Sequence, residues 1–338
     1  MNLLLIQLKR IGDLVLTVPA VAALRRKFPE ARISLVAAHG SRELLPAIPG
    51  LDHIFVARGR ISDAAEFFAI TKARFDYCLD FSRTDRSALL TILSGAPRRI
   101  TYDTVRREPI RQLSYNEFVP SQVRSVHTID HHLALLAPLG VCDVSREIHL
   151  ELPAAAKARA GSLIAERKLG DEFVTLHPGS ARAEKFWIAL RWAELADHIA
   201  DTRGLPCVLT GGNSRMEQEH IARIKMELQH PIVDLSGELD LLSLAALLQR
   251  ARLLITIDSA PMHLAAALGI PQVALFGPTN PFHWRPLTTP ATILRAGYPV
   301  PMTTFLPKQP PGSMREISTQ QVIDAMQRLL STPAASVT

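Results

Sequence analysis

Short apolar runs alternate along this chain with longer segments in which apolar residues recur at helical spacing. Because a strand buried on both faces of a parallel sheet is a continuous apolar run, this alternation predicts βαβ units. In the first half it predicts strands over residues 3–8, 33–37, 53–56 and 77–80. It also predicts helices over residues 17–28, 62–73, 86–93 and 127–139, whereas residues 97–124 are irregular and rich in arginine.

The same alternation starts again after Pro153. It predicts strands over residues 173–176, 207–209, 232–234, 253–257 and 272–276, separated by helices over residues 154–168, 189–200, 216–228, 241–249 and 261–268. A chain of 338 residues is long enough for two domains of about 150 residues. We therefore predict an α/β protein with two Rossmann-like domains, residues 1–151 and 152–338. A last helix is predicted over residues 318–330, and packing back on the N-terminal domain stays open for it.

Composition narrows the class of protein. Hydrophobic residues are 47% and charged residues 21%, which excludes a disordered chain. Lys and Arg number 38 against 32 Asp and Glu, a net charge of +6 that is too small to indicate nucleic acid but suits an anionic substrate or membrane surface. The three cysteines show no Cys-x-x-Cys spacing, and there is no basic leader and no long apolar run. We predict a cytoplasmic protein that meets a membrane only peripherally.

Ligands of open parallel sheets bind beyond the carboxyl ends of the strands, so the loops that follow strands are candidate sites. The first such loop, residues 9–13, contains a single glycine, Gly12, so the dinucleotide fingerprint Gly-x-Gly-x-x-Gly is absent. Asp13 closes this loop. As a carboxylate at a ligand site it is a candidate general base, and a helix-capping role stays open beside it.

Three further loops follow predicted strands in the second half. His177-Pro178-Gly179-Ser180 comes before Lys185, which can bring a point charge to a phosphate, although a solvated lysine stays the alternative. Gly211 and Gly212 allow close backbone approach, or form a left-handed turn. Asp258, Ser259 and Ala260 start a helix, and the small side chains leave its N-terminus open to a diphosphate or a sugar hydroxyl. Helix capping by Asp258 or Ser259 stays the alternative. No Walker A pattern occurs, which disfavours kinases and NTPases.

The arginine-rich segment is a candidate site for acidic groups of a substrate. Guanidinium groups bind carboxylates and phosphates through two hydrogen bonds, and a charged surface loop is the alternative. The acceptor-binding candidates are Arg98, Arg99, Arg106 and Arg107. Metal chemistry has little support, because the histidines at 127, 131 and 132 lack a His-Glu-x-x-His pattern and no Asp-x-Asp occurs.

Taken together, these motifs resemble glycosyltransferase family 9, the lipopolysaccharide heptosyltransferases. The similarity runs from the first strand to about Trp284. It is carried by Arg10-Ile11-Gly12-Asp13, His177-Pro178-Gly179-Ser180, Lys185-Phe186-Trp187, the run from Asp258 through His263 to Ala267, and Leu275-Phe276-Gly277-Pro278-Thr279.

The resemblance implies a GT-B fold, in which two Rossmann-like domains face each other across a cleft. It also implies an ADP-heptose donor, a lipopolysaccharide inner-core acceptor, an inverting reaction, and no metal or other cofactor. By position, Asp13 matches the family's catalytic base and Lys185 its phosphate-binding lysine. The implied donor-binding residues are Ser180, Lys185, Gly211, Gly212, Leu239, Asp258, Ser259, Ala260 and His263. The resemblance thus implies an enzyme of the Gram-negative cell envelope that has an anionic acceptor. No nucleic-acid partner is expected.

Alternatives remain at this stage. One is a GT-B enzyme that uses another nucleotide sugar or a different acceptor, or that acts as an epimerase. Another is a catalytically silent nucleotide-binding protein. The sequence determines neither the acceptor hydroxyl nor the oligomeric state.

Overall fold

The computed structural model describes residues 1–59, 63–142 and 144–331. The chain divides into two compact units, Met1–Glu151 and Leu152–Thr338. Each unit is built on a parallel sheet of six strands with helices between the strands. The predicted α/β class with two Rossmann-like halves is therefore confirmed.

The first sheet has the strand order β3-β2-β1-β4-β5-β6. Its strands are β1 (Asn2–Gln7), β2 (Arg32–Ala38), β3 (His53–Ala57), β4 (Tyr77–Asp80), β5 (Arg98–Tyr102) and β6 (Glu117–Val119). Its helices are α1 (Ile11–Val15), α2 (Val18–Lys27), α3 (Ala64–Lys72), α4 (Asp85–Leu93) and α5 (Thr128–Ala134). The direction in which successive strands are added to the sheet reverses between β1 and β4, which makes the carboxyl ends of these two parallel strands the expected ligand position.

The second sheet has the order β12-β11-β10-β7-β8-β9. Its strands are β7 (Val174–His177), β8 (Cys207–Leu209), β9 (Val233–Asp234), β10 (Leu253–Ile257), β11 (Gln272–Phe276) and β12 (Ala291–Arg295). Its helices are α6 (Ala154–Glu166), α7 (Ala189–Arg203), α8 (Arg215–Glu227), α9 (Leu241–Arg250), α10 (Ala260–Ala267), α11 (Pro281–Trp284) and α12 (Thr319–Ser331). Here the reversal falls between β7 and β10.

Helix α12 packs on the second unit. Its apolar face, which includes Val322, Met326 and Leu330, joins the core formed by β7, β10 and β11. The Trp187 indole N–H donates to the Ile317 carbonyl (2.8 Å) and fixes the chain just before this helix. The structure therefore places this last helix on the second unit.

Several predicted elements differ from those observed. The arginine-rich segment contains β5 and β6, which the absence of a long apolar run had hidden. The predicted helix over residues 17–28 is preceded by α1, and the Thr17 hydroxyl bonds back to the Asp13 carbonyl (2.7 Å) and does not cap α2. The helix predicted over residues 127–139 ends at Ala134, and a separate 3₁₀ turn containing Pro138 follows. Ser62, the predicted start of the helix that follows the third strand, lies outside the described residues.

The three cysteines are free thiols, two of them buried. Within the described part of the chain, no helix is both long enough and apolar enough to cross a membrane.

Candidate functional site

Asp13 lies in the first turn of α1, directly beyond the carboxyl end of β1. The strand itself is fixed by full burial of Leu3, Leu4 and Leu5 between its neighbours β2 and β4. The cap residue of α1 is Arg10, whose backbone N–H bonds to the Asp13 carboxylate. Asp13 thus contributes to the start of this helix, as the helix-capping alternative expects. Its carboxylate nevertheless lies at the expected ligand position of the sheet.

The environment of Asp13 suits a base. Burial raises the pKa of its carboxyl above the ordinary value, and it outweighs the opposing charge of Lys9 and the bond from Arg10. A carboxylate with a raised pKa accepts a proton more readily than an exposed one. The predicted role of Asp13 stays a prediction, and its surroundings are compatible with it.

In the second unit the reversal point between β7 and β10 gathers the predicted donor loops. The two strands pair in parallel, with Thr256 beside His177, so the loops that follow them leave the same edge together. The Lys185 ammonium lies 2.6 Å from the Asp258 carboxylate and 3.0 Å from the Asp258 carbonyl oxygen. Both side chains are largely buried, 12% and 9% exposed, so Lys185 is not the solvated lysine of the alternative interpretation.

Two aromatic side chains hold Lys185 in this place. Lys185 ends a short 3₁₀ turn, and Phe186 and Trp187 follow it. The Phe186 ring stacks on His220 (centroids 4.4 Å apart), and the fully buried Trp187 packs edge-on against Trp192. This anchoring orders the backbone of the loop in advance, so less entropy is lost when Lys185 binds a ligand.

The start of α10 lies next to Lys185. Ser259 occupies the cap position, but its hydroxyl donates to the Ile257 carbonyl (3.3 Å) and makes no bond to the helix. Ala260 is the first helical residue, so neither Ser259 nor Ala260 covers this N-terminus with a long side chain. His263 lies one turn further on, and burial lowers its pKa to about 4, which keeps the ring neutral. The positive end of the helix dipole and Lys185 therefore point to one place that suits an anion.

The glycine loop after β8 joins this site. Strand β8 pairs with β7, and the Gly237 N–H donates to the Gly211 carbonyl (2.9 Å), which brings the segment up to the half-buried Leu239 alongside. Neither Gly211 nor Gly212 has a positive φ, so the left-handed-turn alternative is wrong. A Cβ at either glycine would meet the end of a side chain, Ile221 at the first and Glu217 at the second, and that side chain would have to shift.

Glu217 is a functional candidate that the sequence interpretation missed. Its carboxylate lies against Gly179 as well as Gly212, and so connects the loops after β7 and β8. It accepts a hydrogen bond from the Ser214 hydroxyl (2.8 Å). The sequence feature that indicates Glu217 is its position in the first turn of a helix that follows a glycine-rich loop. The predicted Ser180 lies close by in sequence, and its hydroxyl accepts the Arg182 N–H (3.3 Å).

The four predicted acceptor-binding arginines do not come together. Arg98 and Arg99 begin β5, at the opposite edge of the sheet from Asp13. Arg98 binds the Glu117 carboxylate through both its Nε and Nη2, and Arg99 donates to the carbonyl of Ser114 (2.9 Å). These guanidinium groups hold protein partners, which gives them a structural role. Arg106 and Arg107 are exposed on the turn beyond the carboxyl end of β5, and for them acceptor binding stays a prediction.

Three histidines of the sequence motifs, at positions 131, 132 and 177, are buried in the two units. His177 Nδ1 lies 2.9 Å from the Thr210 hydroxyl, as a structural loop histidine would. Burial lowers the pKa of His131 and of His132 to about 3. Within residues 1–59, 63–142 and 144–331, no three His, Cys, Asp or Glu side chains are grouped as metal ligands.

Comparisons with known proteins agree with this arrangement. The sequence profile described as Glycosyltransferase family 9 (heptosyltransferase) matches residues 67–305. Lipopolysaccharide heptosyltransferase 3 of Escherichia coli is 27% identical over 285 residues, covering 81% of this chain and 83% of that protein.

Two solved structures share the fold. The glycosyl transferase family 9 protein of Veillonella parvula superposes with a TM-score of 0.85 at 26% identity, over 97% of each chain. The E. coli ADP-heptose lps heptosyltransferase II superposes with a TM-score of 0.78 at 24% identity, over 98% of each chain. The predicted GT-B class is thereby confirmed. The chain belongs to glycosyltransferase family 9, the heptosyltransferase family, and is a glycosyltransferase.

Proposed function

We propose that this enzyme transfers a heptose from ADP-heptose to an inner-core sugar of lipopolysaccharide, with inversion at the anomeric carbon and without a metal ion. The observation that carries the proposal is the Lys185–Asp258 pair beside the uncapped start of α10. A departing ADP carries its negative charge on a diphosphate, and a buried ammonium with a helix N-terminus is a fixed receptor for it. Similarity to heptosyltransferases named for lipopolysaccharide and ADP-heptose supports the substrate classes.

In this proposal Asp13 is the catalytic base. Its carboxylate accepts the proton of the acceptor hydroxyl while the hydroxyl oxygen forms a bond to the anomeric carbon. The bond from that carbon to the diphosphate oxygen breaks, and its electron pair leaves with ADP. Attack from the face opposite the leaving group inverts the configuration. Lys185 and the α10 N-terminus stabilise the charge that develops on the diphosphate.

The donor contacts follow from the same loops. We assign the Asp258 carboxylate to a hydroxyl of the donor sugar, which would release Lys185 toward the diphosphate. We assign the Glu217 carboxylate to the ribose hydroxyls. Its position against Gly179 and Gly212 supports this, because a carboxylate beyond a neighbouring strand has this role in Rossmann-like nucleotide sites. Gly211, Gly212 and Leu239 would border the adenosine, Ser180 the diphosphate, and the neutral His263 would supply a further polar contact.

We further propose that the enzyme acts at the cytoplasmic face of the inner membrane through a peripheral contact. Ile110 and Leu113 are 87% and 75% exposed on one turn, and the exposed Arg106 and Arg107 come shortly before them. Apolar side chains beside cations suit an anionic lipid surface. Flotation with vesicles rich in anionic phospholipid tests this, and Ile110→Ser with Leu113→Ser should abolish binding.

A panel of nucleotide sugars with heptose-deficient lipopolysaccharide tests the central proposal. We expect ADP release with ADP-heptose only, a product of inverted anomeric configuration by NMR, and an unchanged rate in EDTA. Turnover with a different nucleotide sugar would replace the donor assignment. ADP binding without transfer to any acceptor would favour a silent nucleotide-binding protein.

A further inference from the structure

The loops that follow β1 and β4 are fastened to each other at the reversal point of the first sheet. The Leu8 N–H donates to the Ser82 hydroxyl (2.6 Å), and the Phe81 N–H donates to the Ile6 carbonyl (3.0 Å). The next residue on one side is Lys9 and on the other Arg83. Two cationic side chains therefore leave neighbouring strands at the edge of the sheet where Asp13 lies.

Arg83 has a backbone conformation that favours glycine. Its φ is +60°, and among the described residues only Arg74 and Lys168 share a positive φ without being glycine. Those two follow the ends of α3 and α6, where left-handed residues are common, whereas Arg83 follows a strand. A non-glycine residue held in this region points to a use for its side chain.

A buried carboxylate holds Arg83 in this conformation. Asp80 is fully buried at the end of β4, and its Oδ1 accepts the N–H groups of Ser82 (2.7 Å) and Arg83 (3.2 Å). Its Oδ2 accepts the Tyr115 hydroxyl (2.5 Å). The loop is thus fixed by two hydrogen bonds to the Asp80 side chain, which the Tyr115 hydroxyl holds in turn, and Asp80 is a positioning residue for Arg83.

The two cations lack a paired carboxylate. The Arg83 guanidinium donates to the Thr104 hydroxyl (2.7 Å) and lies 5.2 Å from the centre of the Tyr102 ring. Within the part of the chain that the structure describes, neither Lys9 nor Arg83 has a carboxylate within 4.0 Å, and Arg83 Nε is buried without a partner. Burial lowers the pKa of Lys9, and the charge of Arg83 lowers it further, while Asp13 and Asp80 act in the opposite direction.

We propose that Lys9 and Arg83 form an anion-binding site that takes a carboxylate or phosphate group of the acceptor and so presents the acceptor hydroxyl to Asp13. Like charges gathered in a partly buried place are stabilised by an anion, and the guanidinium can bind one through two hydrogen bonds. The inference deepens the proposed function and rests on it for the identity of the acceptor. It assigns acceptor recognition to the reversal point of the sheet, where Arg98 and Arg99 do not lie.

Four variants test the site. Lys9→Gln and Arg83→Gln each remove one charge, and Arg26→Gln, at an exposed position on α2, is the matched control. Arg83→Gly removes the whole side chain at a position whose φ of +60° favours glycine, so the backbone of the loop should keep its conformation. With ADP-heptose and lipopolysaccharide, we expect the acceptor KM to rise at least tenfold in the three site variants, with the donor KM unchanged.

A direct titration tests the anion site independently of the proposed function. With ADP filling the donor site, NMR titrations with inorganic phosphate and with glucuronate measure anion binding without turnover. We expect the wild type to bind at least one probe, and which one it binds identifies phosphate or carboxylate as the recognised group. The site variants should bind at least tenfold more weakly, and Arg26→Gln as the wild type does.

Two results would overturn the anion site. These are no probe binding by the wild type, or equal binding by the wild type and both Gln variants. Absence of transfer by the wild type with every nucleotide sugar would instead count against the proposed function, and the probe titration would still decide the anion site.

Discussion

The Lys185 ammonium and the Asp258 carboxylate, 2.6 Å apart and largely buried, join the loops that follow β7 and β10. Removing one partner of such a pair leaves the other charge buried and unpaired, which costs about 3 kcal/mol or more. The pair thus has a structural effect that must be separated from its proposed role in binding the diphosphate.

A double variant makes this separation. Lys185→Met alone should lower the free energy of unfolding by about 3 kcal/mol and weaken ADP binding by tenfold or more. Lys185→Met with Asp258→Asn should recover most of the stability, because no charge stays unpaired, but not ADP binding. Urea unfolding and calorimetry with ADP measure the two quantities. Lys225→Met, at the more exposed Lys225–Asp234 pair, is the control and should keep ADP affinity. Recovery of ADP binding in the double variant would contradict the phosphate role.

Asp13→Asn should separate activity from stability. A general base contributes about 10²–10⁴-fold to the rate, so turnover should fall by that factor while ADP affinity is unchanged. Because burial raises the pKa of Asp13, its charged form destabilises the folded state at neutral pH, and the neutral amide should raise the melting temperature. Turnover near that of the wild type would remove Asp13 as the base.

The pH dependence of kcat/KM should report the same carboxyl group. The base acts when deprotonated, so activity should fall as the pH drops through the pKa of Asp13. That pKa is raised above the ordinary aspartate value of about 3.9, and the acidic limb should lie correspondingly higher. Rates measured from pH 4 to pH 8 locate it. A limb at or below the ordinary value would show that another group or step controls the rate.

Glu217→Gln should weaken nucleoside binding selectively. A carboxylate that accepts ribose hydroxyls contributes charge-assisted hydrogen bonds, so ADP affinity should fall about tenfold. Inorganic pyrophosphate lacks the ribose and should bind as before. Glu219→Gln, more exposed on the same helix and paired with Arg215, is the matched control. Equal losses of ADP and pyrophosphate would place Glu217 at the phosphates instead.

Buried neutral histidines should make the fold sensitive to acid. The pKa of His131 is lowered to about 3 by burial, against about 6.5 in an unfolded chain. The unfolded state therefore binds more protons below pH 6.5, and stability is lost as the pH falls, by up to about 1.4 kcal/mol per pH unit for each such histidine.

His131→Phe tests this directly. Neither ring nitrogen of His131 has a partner among the described residues, and the ring stacks on Tyr102 with centroids 3.9 Å apart. The variant should match the wild type at pH 8 and become relatively more stable toward pH 5 in urea unfolding. His149→Gln, at an exposed position, should follow the wild type across the range. A constant difference between His131→Phe and the wild type would refute the titration.

The sequence by itself determined the class of fold and most of the site loops. Buried parallel strands such as β1 and β10 are continuous apolar runs. The local pattern along the chain therefore places Asp13, Lys185 and Asp258 in segments that follow strands. The sequence pattern does not predict strands that have exposed or charged positions. Strand β5 is an example, because it starts with two arginines whose hydrogen-bond partners, Glu117 and Ser114, are distant in sequence.

Only the tertiary structure decided which of these residues meet. Lys185 and Asp258 are separated by 73 residues, and their contact depends on the pairing of β7 with β10. The same holds for Lys9 and Arg83, which become neighbours because β1 pairs with β4, and for Glu217, which reaches Gly179 from the first turn of α8. Charge pairing, burial and the resulting pKa shifts depend on distances in space, and the pattern along the chain does not contain them.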